Sequence, residues 1–199
     1  MTKEKKIDRF FLTIVLLLVF FGAAMFVSAS LGILMKNKQL FYSVLFNQIV
    51  LGFGLGFLGM YLVYKINYKF WRKYSFYIFL GSILLTAAVF IPSLGWSRFG
   101  AERWIEIGSL RFQPVEFLKF GFVIYFAAWL AWAKSRVQDF KFGILPLGIM
   151  LTVIAFILFN QPDTKSFILI AIAGISMLFI SGVSMKYISL LGAGAIIVL

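Results

Sequence analysis

The chain has 199 residues, is 62% hydrophobic and only 13% charged, and has a mean hydropathy of +1.00. A soluble domain is about half apolar and about a quarter charged, so this composition belongs to the membrane class. There are 19 Lys and Arg against 7 Asp and Glu, and no Cys or His, which excludes disulfides, thiol nucleophiles, imidazole bases and the usual zinc or haem ligands.

The excess positive charge is scattered between apolar runs. It forms no basic face, so a nucleic-acid partner is not expected. No Gly-x-x-x-x-Gly-Lys-Ser/Thr loop supports nucleotide hydrolysis. Carboxylates, Lys, Arg, amides and hydroxyls remain for chemistry.

In chain order, six apolar runs are long enough to cross about 30 Å of hydrocarbon: 10–34, 41–64, 75–92, 115–133, 142–160 and 167–184. The basic N-terminus followed by an apolar run and Val27-Ser28-Ala29 imitates a signal peptide. The run is too long for one, and an uncleaved first span is expected. With the N-terminus inside, the inner segments (3–9, 65–73, 134–141 and Lys186) carry twelve Lys and Arg, and the outer segments carry six. That imbalance supports a cytoplasmic N-terminus. A last run, 188–199, covers only about half the hydrocarbon core and is read as part of a seventh span, so the chain is expected to be a fragment. The fold class expected is all-α: a polytopic membrane helix bundle forming a single integral-membrane domain over 1–199.

Within the second run, Gly52-x-x-x-Gly56 predicts close helix packing, and Asn47 and Gln48 predict hydrogen bonds to another helix. The outer segment 96–119 concentrates charge beside hydrocarbon, which is costly unless the charge is paired or in use. In Gly100-Ala101-Glu102-Arg103-Trp104-Ile105-Glu106-Ile107-Gly108, Glu102 and Glu106 would share a face of a helix, and Trp104 with Ile105 could lie on the membrane surface. Two readings stay open: an amphipathic surface loop, or an Arg103-bearing flap over a site for an anionic substrate.

Gln113-Pro114-Val115-Glu116-Phe117-Leu118-Lys119 opens the fourth run. Proline suits a first helical position, and Glu116 then faces the positive end of the helix dipole. Lys119 lies on the same face three residues later. The pair is either a capped helix end with a snorkelling lysine or a charge pair lining an outward cavity. Between the fifth and sixth runs, Gln161-Pro162-Asp163 ends one helix and starts the next. Asp163 is expected to cap that next helix by accepting from the N–H of Lys165 or Ser166, or to stand at the rim of the same cavity as Glu116.

Ser28-Ala29-Ser30, Gly100-Ala101-x-Arg103-Trp104-Ile105, Gln113-Pro114-x-Glu116-x-x-Lys119, Gln161-Pro162-Asp163 and Gly182 occur in this order and at this spacing. So arranged, they resemble the SEDS (FtsW/RodA-like) family of membrane proteins, in its N-terminal portion. Val115 departs from the family's usual serine, and Thr164-Lys165-Ser166 departs from its Leu-Gly-Thr.

The resemblance implies a peptidoglycan glycosyltransferase of the bacterial cytoplasmic membrane that polymerises lipid II in cell division or elongation. A lipid II transporter and a non-catalytic scaffold are the alternatives. It implies lipid II, or an undecaprenyl-pyrophosphoryl glycan, as substrate. It also implies a class B penicillin-binding protein and other divisome or elongasome membrane proteins as partners. No cofactor is expected within the chain, and a divalent cation is compatible with pyrophosphate chemistry. The family's catalytic aspartate is expected beyond Leu199, so the catalytic residue is unknown here and the chain alone is expected to be inactive. Arg103, Glu116, Lys119 and Asp163 are the candidate substrate-cavity residues. Trp104, Gln113, Pro114, Gln161 and Pro162 are the motif residues around them.

Overall fold

The computed structural model describes residues 8–34, 38–46, 52–91, 95–98, 101–107 and 110–184. The run at 188–199, and Asn47 and Gln48, lie outside the described residues. The protein is mostly helical and divides into two compact units, Met1–Ile66 and Asn67–Leu199.

The first unit holds α1 (Arg9–Leu34), α2 (Lys38–Phe46) and α3 (Gly54–Lys65). Asp8 starts α1 by accepting from the Phe11 N–H at 3.0 Å, a side-chain cap on an otherwise orphaned donor. Nearly all of α1 is exposed, as a helix meant for lipid contact would be. The small segment in its last turns buries Ser30, whose hydroxyl donates to the Val27 carbonyl at 2.8 Å. The close packing expected at Gly52-x-x-x-Gly56 is absent at Gly56, where an added Cβ would meet nothing within 4 Å. That face instead lines a cavity of about 350 Å³ with Val19 of α1.

The second unit carries α4 (Tyr68–Ala87), β1 (Gly95–Arg98), β2 (Ala101–Ile107), β3 (Leu110–Phe112), α5 (Pro114–Ala133), α6 (Ile144–Asn160) and α7 (Thr164–Ile180). Helix α4 begins earlier than the apolar run at 75–92 suggested. Asn67 caps it by accepting from the Lys69 N–H at 3.0 Å, and the basic turn with Lys69, Arg72 and Lys73 is helical. Hydropathy marks where hydrocarbon begins; capping marks where the helix begins, and here the two differ by two turns.

Helices α4 and α5 pack antiparallel. Phe76 meets Tyr125 (5.7 Å between ring centroids), Phe79 meets Phe122 (6.3 Å), and Ser82 faces Gly121. The helices approach closely because this face of α4 is small and self-satisfied. Ser75, Ser82 and Thr86 are buried, and their hydroxyls donate to the carbonyls of Arg72, Phe79 and Ser82. Phe122 and Phe126 stack at 5.7 Å and, with Leu118, Leu147, Ile154, Leu158 and Leu178, form the fully buried centre. Between helices in lipid, such packing supplies the attraction that the hydrophobic effect gives in water.

Helix α7 ends in a Schellman motif: the Gly182 N–H donates to the Phe179 carbonyl (3.1 Å), and the Val183 N–H to that of Leu178 (3.4 Å). Gly182 takes φ +85°, which only glycine adopts without steric cost, and buried Val183 and Leu178 complete the motif.

Two expectations change. The outer segment is a three-stranded antiparallel sheet in the order β1-β2-β3, so the fold is not purely α-helical. Residues 101–107 form a strand and not a helix, because β-branched Ile105 and the bulky Trp104 suit a pleated surface. The register passes from Trp104 to Glu102 opposite Trp96 and Ser97, so Arg103 is the extra residue of a bulge in β2. Among the described residues, three helical stretches are long and apolar enough to cross a membrane: Arg9–Gly32, Tyr68–Phe90 and Pro114–Gln138. Helices α6 and α7 have 17 residues each, about 25 Å, and fall just short of that length.

Candidate functional site

The sheet, the start of α5 and the α6–α7 turn converge at one end of the second unit. In β1–β2 the register sets Trp96 opposite Trp104, with a bulge between Trp96 and Ser97. In β2–β3 it sets Ile105 opposite Phe112 and Glu106 opposite Arg111. Ile105, 3% exposed, anchors β2 in the unit, and Trp104 is half-buried. Ile105 is therefore core, not a membrane-surface contact.

Arg103, at the bulge of β2, reaches the α6–α7 turn. Its Nε donates to the Gln161 carbonyl at 3.0 Å, and its Nη2 donates to the Pro162 carbonyl. The guanidinium thus ties the sheet to the turn by charge-assisted bonds. Gln161 is 2% exposed, and its Nε2 donates to the Thr86 carbonyl at 2.7 Å, near the end of α4. One turn is held from two sides by partners 58 and 75 residues away.

Asp163 is 4% exposed. Its Oδ1 accepts from the Ser166 N–H at 3.3 Å, so it caps α7. Its Oδ2 accepts from Gln113 Nε2, also at 3.3 Å. Gln113 stands at the N-cap position of α5 yet makes no cap bond of its own. Its amide is spent on Asp163, and Pro114, buried at the first helical position, needs no cap there. The Gln113–Asp163 bond therefore joins the starts of α5 and α7.

One turn into α5, Lys119 Nζ lies 2.7 Å from Glu116 Oε2, with side-chain exposures of 25% and 53%. An ion pair this open to water contributes at most about 1 kcal/mol, so stability is a weak reason for it. The geometry leaves a carboxylate and an ammonium on an accessible face beside the part-buried Gln113–Asp163 link. Arg103 does not stand free as a flap. It is held against the turn and does not touch Glu116 or Lys119 in any bond among the described residues.

Thr86 carried no signal in the sequence, because it enters the site through its main-chain carbonyl from another helix. Among the described residues, no group of three or more acidic side chains is placed to hold a metal ion.

Arg103→Met is expected to leave the Gln161 and Pro162 carbonyls without their charged donor, at a cost of about 1–3 kcal/mol. Limited proteolysis should then cut within 95–112 at least several times faster than in the wild type. An unchanged digestion pattern would show that the arginine does not hold the sheet.

A family model described as a cell cycle protein, covering FtsW, RodA and SpoVE, matches residues 8–199. A protein of Geobacter sulfurreducens named probable peptidoglycan glycosyltransferase FtsW is 35% identical over 198 residues, covering 98% of this chain and 53% of that protein. One of the same name from Polynucleobacter necessarius is 33% identical over 183 residues, covering 90% of this chain and 43% of that protein. The chain thus spans about half the length of the curated relatives it matches. Among solved structures, the fold is similar to a chain of a peptidoglycan synthase complex that coordinates polymerization and crosslinking (TM-score 0.68, 22% identity, covering 88% of this chain and 51% of that one). It is also similar to the Thermus thermophilus rod shape determining protein RodA (TM-score 0.65, 22% identity, 89% and 57%).

Proposed function

Since the chain belongs to the FtsW, RodA and SpoVE family of cell cycle proteins, we propose that the whole protein is a peptidoglycan glycosyltransferase that polymerises lipid II. The chain contributes part of its substrate cavity. One observation carries this reading to the residues. The segments that resemble the family (Arg103, Gln113-Pro114, Glu116 with Lys119, Gln161-Pro162-Asp163) come from separate stretches of chain and meet at one end of the second unit.

The chemistry requires an acceptor hydroxyl to displace a pyrophosphate from a sugar carbon. A base takes the hydroxyl proton, and cations steady the charge gathering on the leaving group. Lys119 is the cation placed to meet that pyrophosphate, because it stands on an accessible face. Glu116 aims it. Asp163, through Gln113, fixes where the first turn of α5 begins, and so where Lys119 points. Arg103 holds the sheet over the same end. The base is assigned to no residue of this chain, and a divalent cation is compatible with the pyrophosphate.

The six spans with part of a seventh, the cytoplasmic N-terminus and the bacterial inner membrane belong to the same proposal. The charge imbalance supports the orientation. A class B penicillin-binding protein is the partner proposed. The synthase complex named above, whose title joins polymerization to crosslinking, supports it.

With lipid II supplied on the outer face, the wild-type whole protein should form glycan strands. Lys119→Ala and Glu116→Ala should each reduce product at least about a hundredfold, the scale of losing a group that steadies developing charge, with little change in melting temperature. Normal turnover in both variants would remove the pair from the site. Transport of lipid II without polymer would favour the transporter reading instead.

A further inference from the structure

The opposite end of the second unit carries a cluster that the glycan chemistry does not use. Because α4 and α5 are antiparallel, the first turns of α4, with Lys69, Arg72 and Lys73, lie at the same end as the α5–α6 connection. That connection carries Lys134, Arg136 and Lys141, against a single described acid there, Asp139. Within it the cations are organised. The Arg136 guanidinium sits 4.6 Å from the centroid of the Trp132 ring and 4.7 Å from that of Phe142. Lys141 Nζ lies 6.0 Å from the same Phe142 ring. Phe142 is itself held, since Trp129 Nε1 donates to its carbonyl at 2.9 Å.

Below these cations lies an open cavity of about 340 Å³, lined by Tyr125, Trp129, Lys141, Phe142, Leu145 and Pro146 and running along α6 to Met150. Helix α6 starts beside it with no side-chain cap, so its positive end adds to the field there. An aromatic and aliphatic trough lined by Lys141, with Arg136 held on the ring of its lining residue Phe142, has the chemistry of one class of ligand: a phosphate on an apolar tail.

We propose that the α5–α6 corner is a binding site for an anionic phospholipid. The phosphate lies between Arg136 and Lys141, and an acyl chain lies in the trough. The apolar lining selects a lipid over free phosphate, which would gain nothing from Leu145, Pro146 and Met150. The site is separate from the glycan cavity and does not depend on the orientation of the chain in the membrane.

Tryptophan quenching by brominated lipid tests it, because Trp129 lines the trough and the Trp132 ring centroid lies 5.1 Å from that of Trp129. The chain is placed in bilayer nanodiscs of phosphatidylcholine, with a minor fraction of either brominated phosphatidylglycerol or brominated phosphatidylcholine. The anionic lipid should quench at lower mole fraction, by about fivefold for each engaged cation. In R136Q/K141Q this preference should disappear. In K69Q/K73Q, whose charges lie at the same end outside the trough, it should persist. Equal loss in both double variants would show diffuse attraction and overturn the site, as would equal quenching by the two lipids in the wild type. Recovery of fluorescence by inorganic phosphate, beyond that given by chloride at equal ionic strength, would assign the cations to free phosphate and overturn the lipid. The double variants replace exposed residues, and matching melting temperatures would establish that they fold.

Discussion

Asp163→Ala in the whole protein is expected to reduce glycan polymerisation at least about a hundredfold, the scale of a lost electrostatic element. It should also destabilise the second unit. The carboxylate is buried and does two jobs: it caps α7 through the Ser166 N–H and receives the Gln113 amide. Alanine loses the cap, about 1 kcal/mol, and leaves the half-buried Gln113 amide without its partner, about 1 kcal/mol more. Asp163→Asn separates the two effects. Its side-chain carbonyl still caps the helix, so the melting temperature should stay close to that of the wild type. Its NH2 cannot accept from Gln113, so the Gln113 amide must turn over to accept from it, and the α5 start keeps only a neutral, weaker bond in place of the charge-assisted one. Activity should fall in both variants and stability mainly in the alanine one. Wild-type polymerisation by Asp163→Ala would end the claim that this residue serves the site.

Gly121→Val should strongly impair folding. A Cβ at Gly121 would overlap Ser82 Oγ and lie 3.2 Å from Ser82 Cβ and 3.3 Å from the Ile78 carbonyl oxygen. The hydroxyl is already bound to the Phe79 carbonyl at 2.7 Å, and a main-chain oxygen cannot rotate aside. Helices α4 and α5 must therefore separate, which loosens the Phe79–Phe122 contact behind them. Overpacking of this kind costs about 1–3 kcal/mol for one methylene, and valine adds three carbons. The yield of monodisperse protein after detergent extraction should drop several-fold. Ser82→Gly in the same chain should restore part of it. Gly81→Val is the internal control, since its Cβ would meet nothing within 4 Å. Equal losses at Gly81 and Gly121 would mean that helix propensity, not the close approach, sets the cost.

The local chemistry of the candidate site was legible residue by residue. Proline at the start of α5, the Glu116–Lys119 pair at three-residue spacing, and Asp163 as the cap of α7 each follow from short-range rules, and each stands where those rules put it. The strand at 101–107 was not legible. The four-residue spacing of Glu102 and Glu106 suits a helix or a regular strand equally, so charge spacing did not discriminate, and the sheet depends on pairing with residues on both sides. The glycines misled in the other direction. Gly52-x-x-x-Gly56 has the spacing of a packing motif, but Gly56 faces a cavity, while the unremarkable Gly121 and Gly174 stand against neighbouring helices. Which glycine meets a partner depends on the helix opposite, and spacing within one helix does not contain that.

Amino-acid order alone settles that this is a membrane protein, broadly where its apolar helices lie, and that Asp163 caps α7, because hydropathy and capping act over a few consecutive positions. Folding in three dimensions settles which of the sparse polar groups meet. Arg103 finds the Gln161 and Pro162 carbonyls, Gln161 finds Thr86, and Gln113 finds Asp163. In a low-dielectric interior each of these groups must be satisfied, yet any of several distant partners could satisfy it. The packing of α4 against α5, and the sheet laid over their end, make that choice.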